Sequence, residues 1–123
     1  MGNVSVRYIV SNVDDAISFY EGLGFTVEMH PAPTFAMLGL DDLKLLLNQP
    51  GAGGAGQAGS KGDLPEPGGW NRFQLQVDDL EETVQQLKLA GASFRTGIVQ
   101  GNGGKQAVVE DPSGNPVELF QPG

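Results

Sequence analysis

The sequence predicts an α+β fold built from two repeated β-α-β-β-β modules. Three observations carry that prediction. Val10-Ser11-Asn12-Val13-Asp14-Asp15 lies over Val77-Asp78-Asp79-Leu80-Glu81-Glu82 at an offset of 67 residues, and the match continues to Gly24 over Gly91. Leu47-Asn48-Gln49-Pro50 lies over Leu119-Phe120-Gln121-Pro122 at an offset of 72, so the second copy carries about five additional residues, placed around Gly101 to Gly104. A stretch dominated by glycine and proline separates the copies. A period of this size marks a duplicated half-domain rather than a solenoid. The expected organisation is one domain over residues 1–123, with module one at 3–49, a linker at 50–69 and module two at 70–122.

Each element has its own local reason. Val4 to Val10 is β-branched, aromatic and alternating, with Val6, Tyr8 and Val10 on one face and Ser5, Arg7 and Ile9 on the other. Ser11 or Asn12 is placed to cap the next helix, Asp14 and Asp15 sit in its first turn, and Gly22 and Gly24 stop it. Val13, Ala16, Ile17 and Tyr20 recur at helical spacing, with Phe19 and Leu23 extending the apolar side. Three short strands follow: Phe25 to His30, interrupted by Pro31 and Pro33, then Thr34 to Leu38, then Leu43 to Asn48 after a turn at Gly39 to Asp42. Residues 50–69 have almost nothing to bury and read as a flexible linker or mobile loop. The stretch lacks the Gly-Lys-Ser/Thr ending of a phosphate-binding loop and opens no helix.

The pattern then restarts. Trp70 to Val77 reads as a strand, with Phe73, Leu75 and Val77 alternating against Arg72, Gln74 and Gln76. Asp78 or Asp79 caps a helix whose stripe is Leu80, Val84, Leu87 and Ala90, and Gly91 ends it. Ala92 to Gln100 holds a short strand or two, Asn102-Gly103-Gly104 makes a hairpin turn, and Lys105 to Glu110 is a further strand. In the closing segment, Pro112 presets φ for a tight turn, Gly114-Asn115 can take positive φ, and Pro116 fits only a strand start or edge. If Val117 and Leu119 face a core, Glu118 and Phe120 share the opposite face.

Composition narrows function. A net charge of −8, from 7 basic and 15 acidic residues, leaves no basic stripe for nucleic-acid phosphates or an anionic membrane. The absence of cysteine excludes disulfides, thiolate metal sites and a cysteine nucleophile. No apolar run approaches the roughly 18 residues a membrane span needs. The first twenty residues show no basic start followed by an apolar run. A cytoplasmic protein is the expectation. Ser5 and Ser11 have no histidine neighbour in sequence, so no nucleophile constellation is visible. The one histidine, His30, ends a strand before Pro31 and reads as a rim or surface residue.

The paired modules, the Val-Asp-Asp-Leu-Glu helix start at Val77 to Glu81 and the run Glu110-Asp111-Pro112-Ser113-Gly114-Asn115-Pro116-Val117-Glu118-Leu119 resemble the vicinal oxygen chelate superfamily, the group of glyoxalase I, bleomycin-resistance proteins and extradiol dioxygenases. The resemblance covers nearly the whole chain outside the linker. It implies a curved sheet around a cleft, frequent homodimerisation and, in the metalloenzymes, a divalent metal acting as a Lewis acid. The ligand positions implied by the resemblance hold Ser5, Leu46, Arg72 and Glu118 here. Only Glu118 is an ordinary ligand, because a guanidinium is permanently charged. A displaced set would need His30, Glu118 and a third carboxylate such as Glu28.

No metal and no cofactor are therefore expected, with Arg72 neutralising Glu118 by a charge-assisted hydrogen bond. By alternation the cleft face takes Ser5, Arg7, Ile9, Lys44, Leu46, Asn48, Arg72, Gln74, Gln76, Glu118 and Phe120. Three large polar residues on one strand face, Arg72, Gln74 and Gln76, are costly unless they meet water or a ligand. The expected function is metal-independent binding of a small polar or aromatic molecule by Arg7, Trp70, Arg72, Gln74, Glu118 and Phe120, with Trp70 and Phe120 as stacking walls. The alternative is a lyase, isomerase or dioxygenase of the superfamily, metal-free or with displaced ligands, in which Glu118 is the best catalytic candidate.

Overall fold

The computed structural model describes residues 4–123. The start of module one at residue 3 lies outside the described residues. The chain is α+β and divides into two compact units, residues 1–68 and 69–123.

The first unit runs β1 (Ser5–Ile9), α1 (Val13–Gly22), β2 (Thr26–Ala32), β3 (Phe35–Leu40) and β4 (Leu43–Asn48). Its sheet has the order β1-β4-β3-β2, with β1 parallel to β4 and the other pairs antiparallel. Tyr8, Val10, Leu45 and Leu47 on one face and Val13, Ala16 and Tyr20 on α1 are buried and form its core. Three edge-to-face ring contacts centre on Tyr20, with Tyr8, Phe19 and Phe25. Asn12 is the helix cap, its Oδ1 accepting from Asp15 N at 2.9 Å. The strand expected to break before Pro31 instead continues to Ala32. Proline is tolerated there because β2 is an outer strand and irregular, with register shifts after Val27 and Met29.

The second unit runs β5 (Gln74–Gln76), α2 (Leu80–Leu89), β6 (Ser93–Phe94), β7 (Val99–Gln100), β8 (Gly104–Glu110) and β9 (Pro116–Pro122). The sheet order is β5-β9-β8-β6, with β7 also on β8. Leu119, Val117 and Ala107 meet Leu80, Val84 and Leu87 of α2 in its core. Ala90, expected in that stripe, is the exposed C-cap residue instead. The expected strand Trp70 to Val77 forms a ladder only over Gln74–Gln76. Pro116 opens the neighbouring strand, and without an N–H it offers no donor opposite the residues before Phe73. Lys105 Nζ donates to Glu81 Oε1 at 2.7 Å and ties α2 to β8. That hydrogen bond holds the Glu81 carboxyl below the ordinary glutamate range.

The duplication is preserved in detail. Arg7 is in register with Leu46, and at the same repeat positions Gln74 is in register with Glu118. Val10 N donates to Asn48 O at 2.9 Å, and Val77 N to Phe120 O at 2.8 Å. A glutamine at the end of the last strand, Gln49 just past β4 and Gln121 within β9, caps the helix in each unit: Gln49 Oε1 accepts from Val13 N at 3.0 Å, and Gln121 Oε1 from Leu80 N at 2.8 Å. The glycine-rich stretch begins with more structure than its composition suggests. Gly56 is buried, its N–H donates to Ala52 O at 2.9 Å, and Ala52 N donates to Gln49 O at 3.2 Å.

Candidate functional site

The second unit presents a polar face opposite its core, and strand alternation assembles it. Leu119 and Val117 point into the core, so Glu118 and Phe120 point the other way. The register then fixes their neighbours. Glu118 lies between Gln74 and Val108, and Phe120 lies between Gln76 and Gln106. Arg72 and Trp70 continue the same alternation ahead of β5, and Trp70 is 64% exposed.

Glu118 is the centre of this face. Arg72 Nε and Nη2 both donate to its Oε1, at 3.0 and 2.8 Å, and Gln74 Nε2 donates to its Oε2 at 2.7 Å. The Glu118 side chain is 13% exposed and that of Arg72 27%. Charge-assisted hydrogen bonds are stronger than neutral ones, and Glu118 is the better shielded partner, so removing Arg72 leaves a partly shielded charge. The third guanidinium nitrogen, Nη1, reaches Trp70 O at 3.3 Å and links the ion pair to the segment before β5. The pair that the sequence suggests is therefore formed, with Gln74 as a third member.

A double-mutant cycle measures it. Arg72→Met is expected to cost about 1–2 kcal/mol, because Glu118 keeps its charge with only Gln74 as partner. Adding Glu118→Gln should recover most of that loss, giving a positive coupling in urea denaturation. Strictly additive losses would mean that the pair contributes nothing.

Sequence reasoning missed two parts of the face. Gln106, beside Phe120, was legible from the alternation of Lys105 to Glu110. Arg95 was not, because it lies past the end of β6, outside any alternating run. Its Nε donates to Glu110 Oε2 at 2.8 Å and its Nη2 to Gly114 O at 2.7 Å, while Nη1 donates to Gly69 O. Its guanidinium carbon stands 4.5 Å from the centroid of the Trp70 ring.

The first unit uses the corresponding strand faces differently. Arg7 Nη1 donates to Oδ1 of the buried Asn48. Lys44 Nζ binds Glu28 through both carboxylate oxygens, at 2.6 and 2.7 Å. His30 Nε2 lies 4.0 Å from Asp14 Oδ1 on α1. Glu28 thus faces a lysine and His30 a helix-borne acid, so the displaced metal set is not assembled by these two residues.

A separate groove of about 390 Å³, lined by Val84, Gln85, Lys88, Leu89, Ile98 and Glu81, lies along α2. That helix packs on the opposite face of the sheet, so the groove is not part of the Glu118 cluster.

Paired β-α-β-β-β units, each with a capped helix and a last strand reached through a tight turn, define the class. The chain belongs to the Glyoxalase/Bleomycin resistance protein/Dioxygenase superfamily, whose family model matches residues 4–119. Solved structures agree on the fold. Lactoylglutathione lyase from Agrobacterium tumefaciens is 18% identical with a TM-score of 0.72, covering 98% of this chain and 92% of that one. A member of the same superfamily from Sphaerobacter thermophilus DSM 20745 is 24% identical with a TM-score of 0.73, covering 98% and 97%. TioX from Micromonospora sp. ML1 is 16% identical with a TM-score of 0.75, covering 98% of each chain. No curated protein matches the sequence at a significant level.

The residues at the metal-ligand positions implied by the resemblance do not suit a divalent cation. In the first unit Leu46 has no donor atom, and Ser5 stands in register with the cation Lys44. In the second, Arg72 is itself a cation and occupies Glu118. Among the described residues, no group of three or more His, Asp or Glu side chains is placed to hold a metal ion.

Proposed function

We propose that this chain is a metal-independent small-molecule-binding protein of the bleomycin-resistance type, holding a small polar or aromatic compound on the face around Glu118. The observation that carries the reading is the engagement of both Glu118 oxygens by Arg72 and Gln74. A carboxylate so held is a poor metal ligand, and as a general base it would first have to give up a guanidinium. The pair also carries no net charge, so the face suits a ligand that brings none. Gln74, Gln76 and Gln106 offer carboxamides that both donate and accept, and the Trp70 and Phe120 rings stand at its two ends.

The test is metal analysis of protein purified without chelator, with a thermal-shift screen against Mn²⁺, Ni²⁺, Zn²⁺ and small aromatic amides and acids. Substoichiometric metal is expected, together with stabilisation by an aromatic compound that Arg72→Ala or Trp70→Ala abolishes. Near-stoichiometric metal that is lost in Glu118→Ala would replace this reading with a superfamily metalloenzyme.

A further inference from the structure

Trp70 is the only tryptophan in the chain, and its two ring faces are not equivalent. One is covered by Arg95 at 4.5 Å, while the residue as a whole is 64% exposed. The covering guanidinium does not swing freely. Its three nitrogens are committed to Glu110, Gly69 O and Gly114 O, and the Arg95 side chain is 14% exposed. The guanidinium therefore keeps its place, against the indole in this structure, whether or not a ligand arrives.

We propose that Arg95 sets the class of ligand this face accepts: with a guanidinium fixed on one side of Trp70, the open side is a stacking platform for an uncharged planar aromatic ring and a poor one for a cationic ring. The inference rests on the binding reading above and narrows it. An indole attracts cations through the negative potential of its π faces. A cation already held against one face draws on that potential. It also repels a second positive charge across the ring, at a separation where screening is incomplete. A neutral ring stacks by dispersion and area burial and escapes the penalty. Glu110 offsets part of the guanidinium charge, so Arg95 and Glu110 act in opposite directions on the same preference. Gln74, bound to Glu118 beside the ion pair, matches a ring bearing a carboxamide.

The single tryptophan supplies the readout, because the protein gives one indole N–H resonance in a nitrogen-correlated NMR spectrum. The probes are 3-methylbenzamide and 1-methylnicotinamide, which have the same shape and differ by one ring atom, carbon against charged nitrogen. In the wild-type protein the neutral probe should bind on the order of tenfold more tightly than the cation. Arg95→Met should bring the two affinities close together. Glu110→Gln, which leaves an acceptor for Arg95 while removing the charge, should widen the gap. A wild-type preference for the cation, or a ratio unchanged in Arg95→Met, overturns the inference. If Arg95→Met does not fold, a gap that fails to widen in Glu110→Gln overturns it as well. Equal binding of both probes to wild type sinks only this inference. A Trp70 resonance that neither probe moves sinks the binding reading and takes the inference with it.

Discussion

Replacing Gly104 with alanine is expected to destabilise the protein by about 3 kcal/mol or more, lowering Tm on the order of 10 °C. Gly104 opens β8 opposite Pro122 of β9, with φ at 154°, near the edge of the region that L residues avoid. A Cβ there would stand 2.1 Å from Gln121 O and 2.9 Å from Gly123 N. Those are backbone atoms of the partner strand and cannot rotate away. The end of β9 must move, and Gln121 moves with it. Its side chain accepts from Leu80 N at 2.8 Å, so the damage should extend to the first turn of α2. Hydrogen exchange would show this as faster exchange at Leu80 N–H. Gly101→Ala in the same turn is the control: its Cβ would meet nothing closer than Gly104 O at 3.7 Å, and a change within about 0.5 kcal/mol is expected. Equal losses at the two positions would mean that the turn, not the close approach of β9, is the sensitive feature.

The part of this architecture legible in the sequence is the part written in local chemistry and repeated. Asn12 and Asp79, the two helix caps, announce themselves by residue type before an apolar stripe. The offsets of 67 and 72 align Arg7 with Gln74 and Leu46 with Glu118, and the sheet registers honour both. Alternation around Leu119 was enough to put Glu118 and Phe120 on one face, and the family resemblance, with the offset, implied Arg72 near them. What escaped the sequence depends on contacts between distant residues. Arg95 joins Gly69, Trp70, Glu110 and Gly114, positions that no local pattern connects. The continuation of β2 through Pro31 depends on that strand being outermost, a property of sheet order and not of the segment. The short ladder of β5 depends on a proline some forty residues away in sequence, at the start of β9. The glycine-rich stretch after Gln49 folds its first residues into hydrogen-bonded turns that close around a buried Gly56.

Asp111→Ala should cost about 3 kcal/mol, because this buried carboxylate organises the turn that delivers Glu118. Asp111 is 4% exposed. Its Oδ1 accepts from Ser113 N and Asn115 N, both at 2.9 Å, and its Oδ2 accepts from Asn115 Nδ2 at 3.0 Å. Backbone bonds close the turn around it, Asp111 N to Asn115 O at 2.8 Å and Gly114 N to Asp111 O at 2.9 Å, with Gly114 at a φ of 85°. Alanine removes the acceptor for two backbone donors, Ser113 N and Asn115 N, and for the side-chain donor Asn115 Nδ2, all within a buried turn. Asp111→Asn separates charge from geometry. One oxygen can still serve the two backbone N–H groups, and the Asn115 amide can turn to pair with the new one. A loss about half that of alanine is then expected. Equal losses in the two variants would show that the negative charge, not the count of acceptors, holds the turn. The effect should also reach the face, since Gly114 O is one of the anchors of Arg95. In Asp111→Ala the indole resonance of Trp70 should shift toward that of Arg95→Met, while in Asp111→Asn it should stay near wild type. A Trp70 resonance unmoved by Asp111→Ala would show that Glu110 and Gly69 suffice to hold the guanidinium in place.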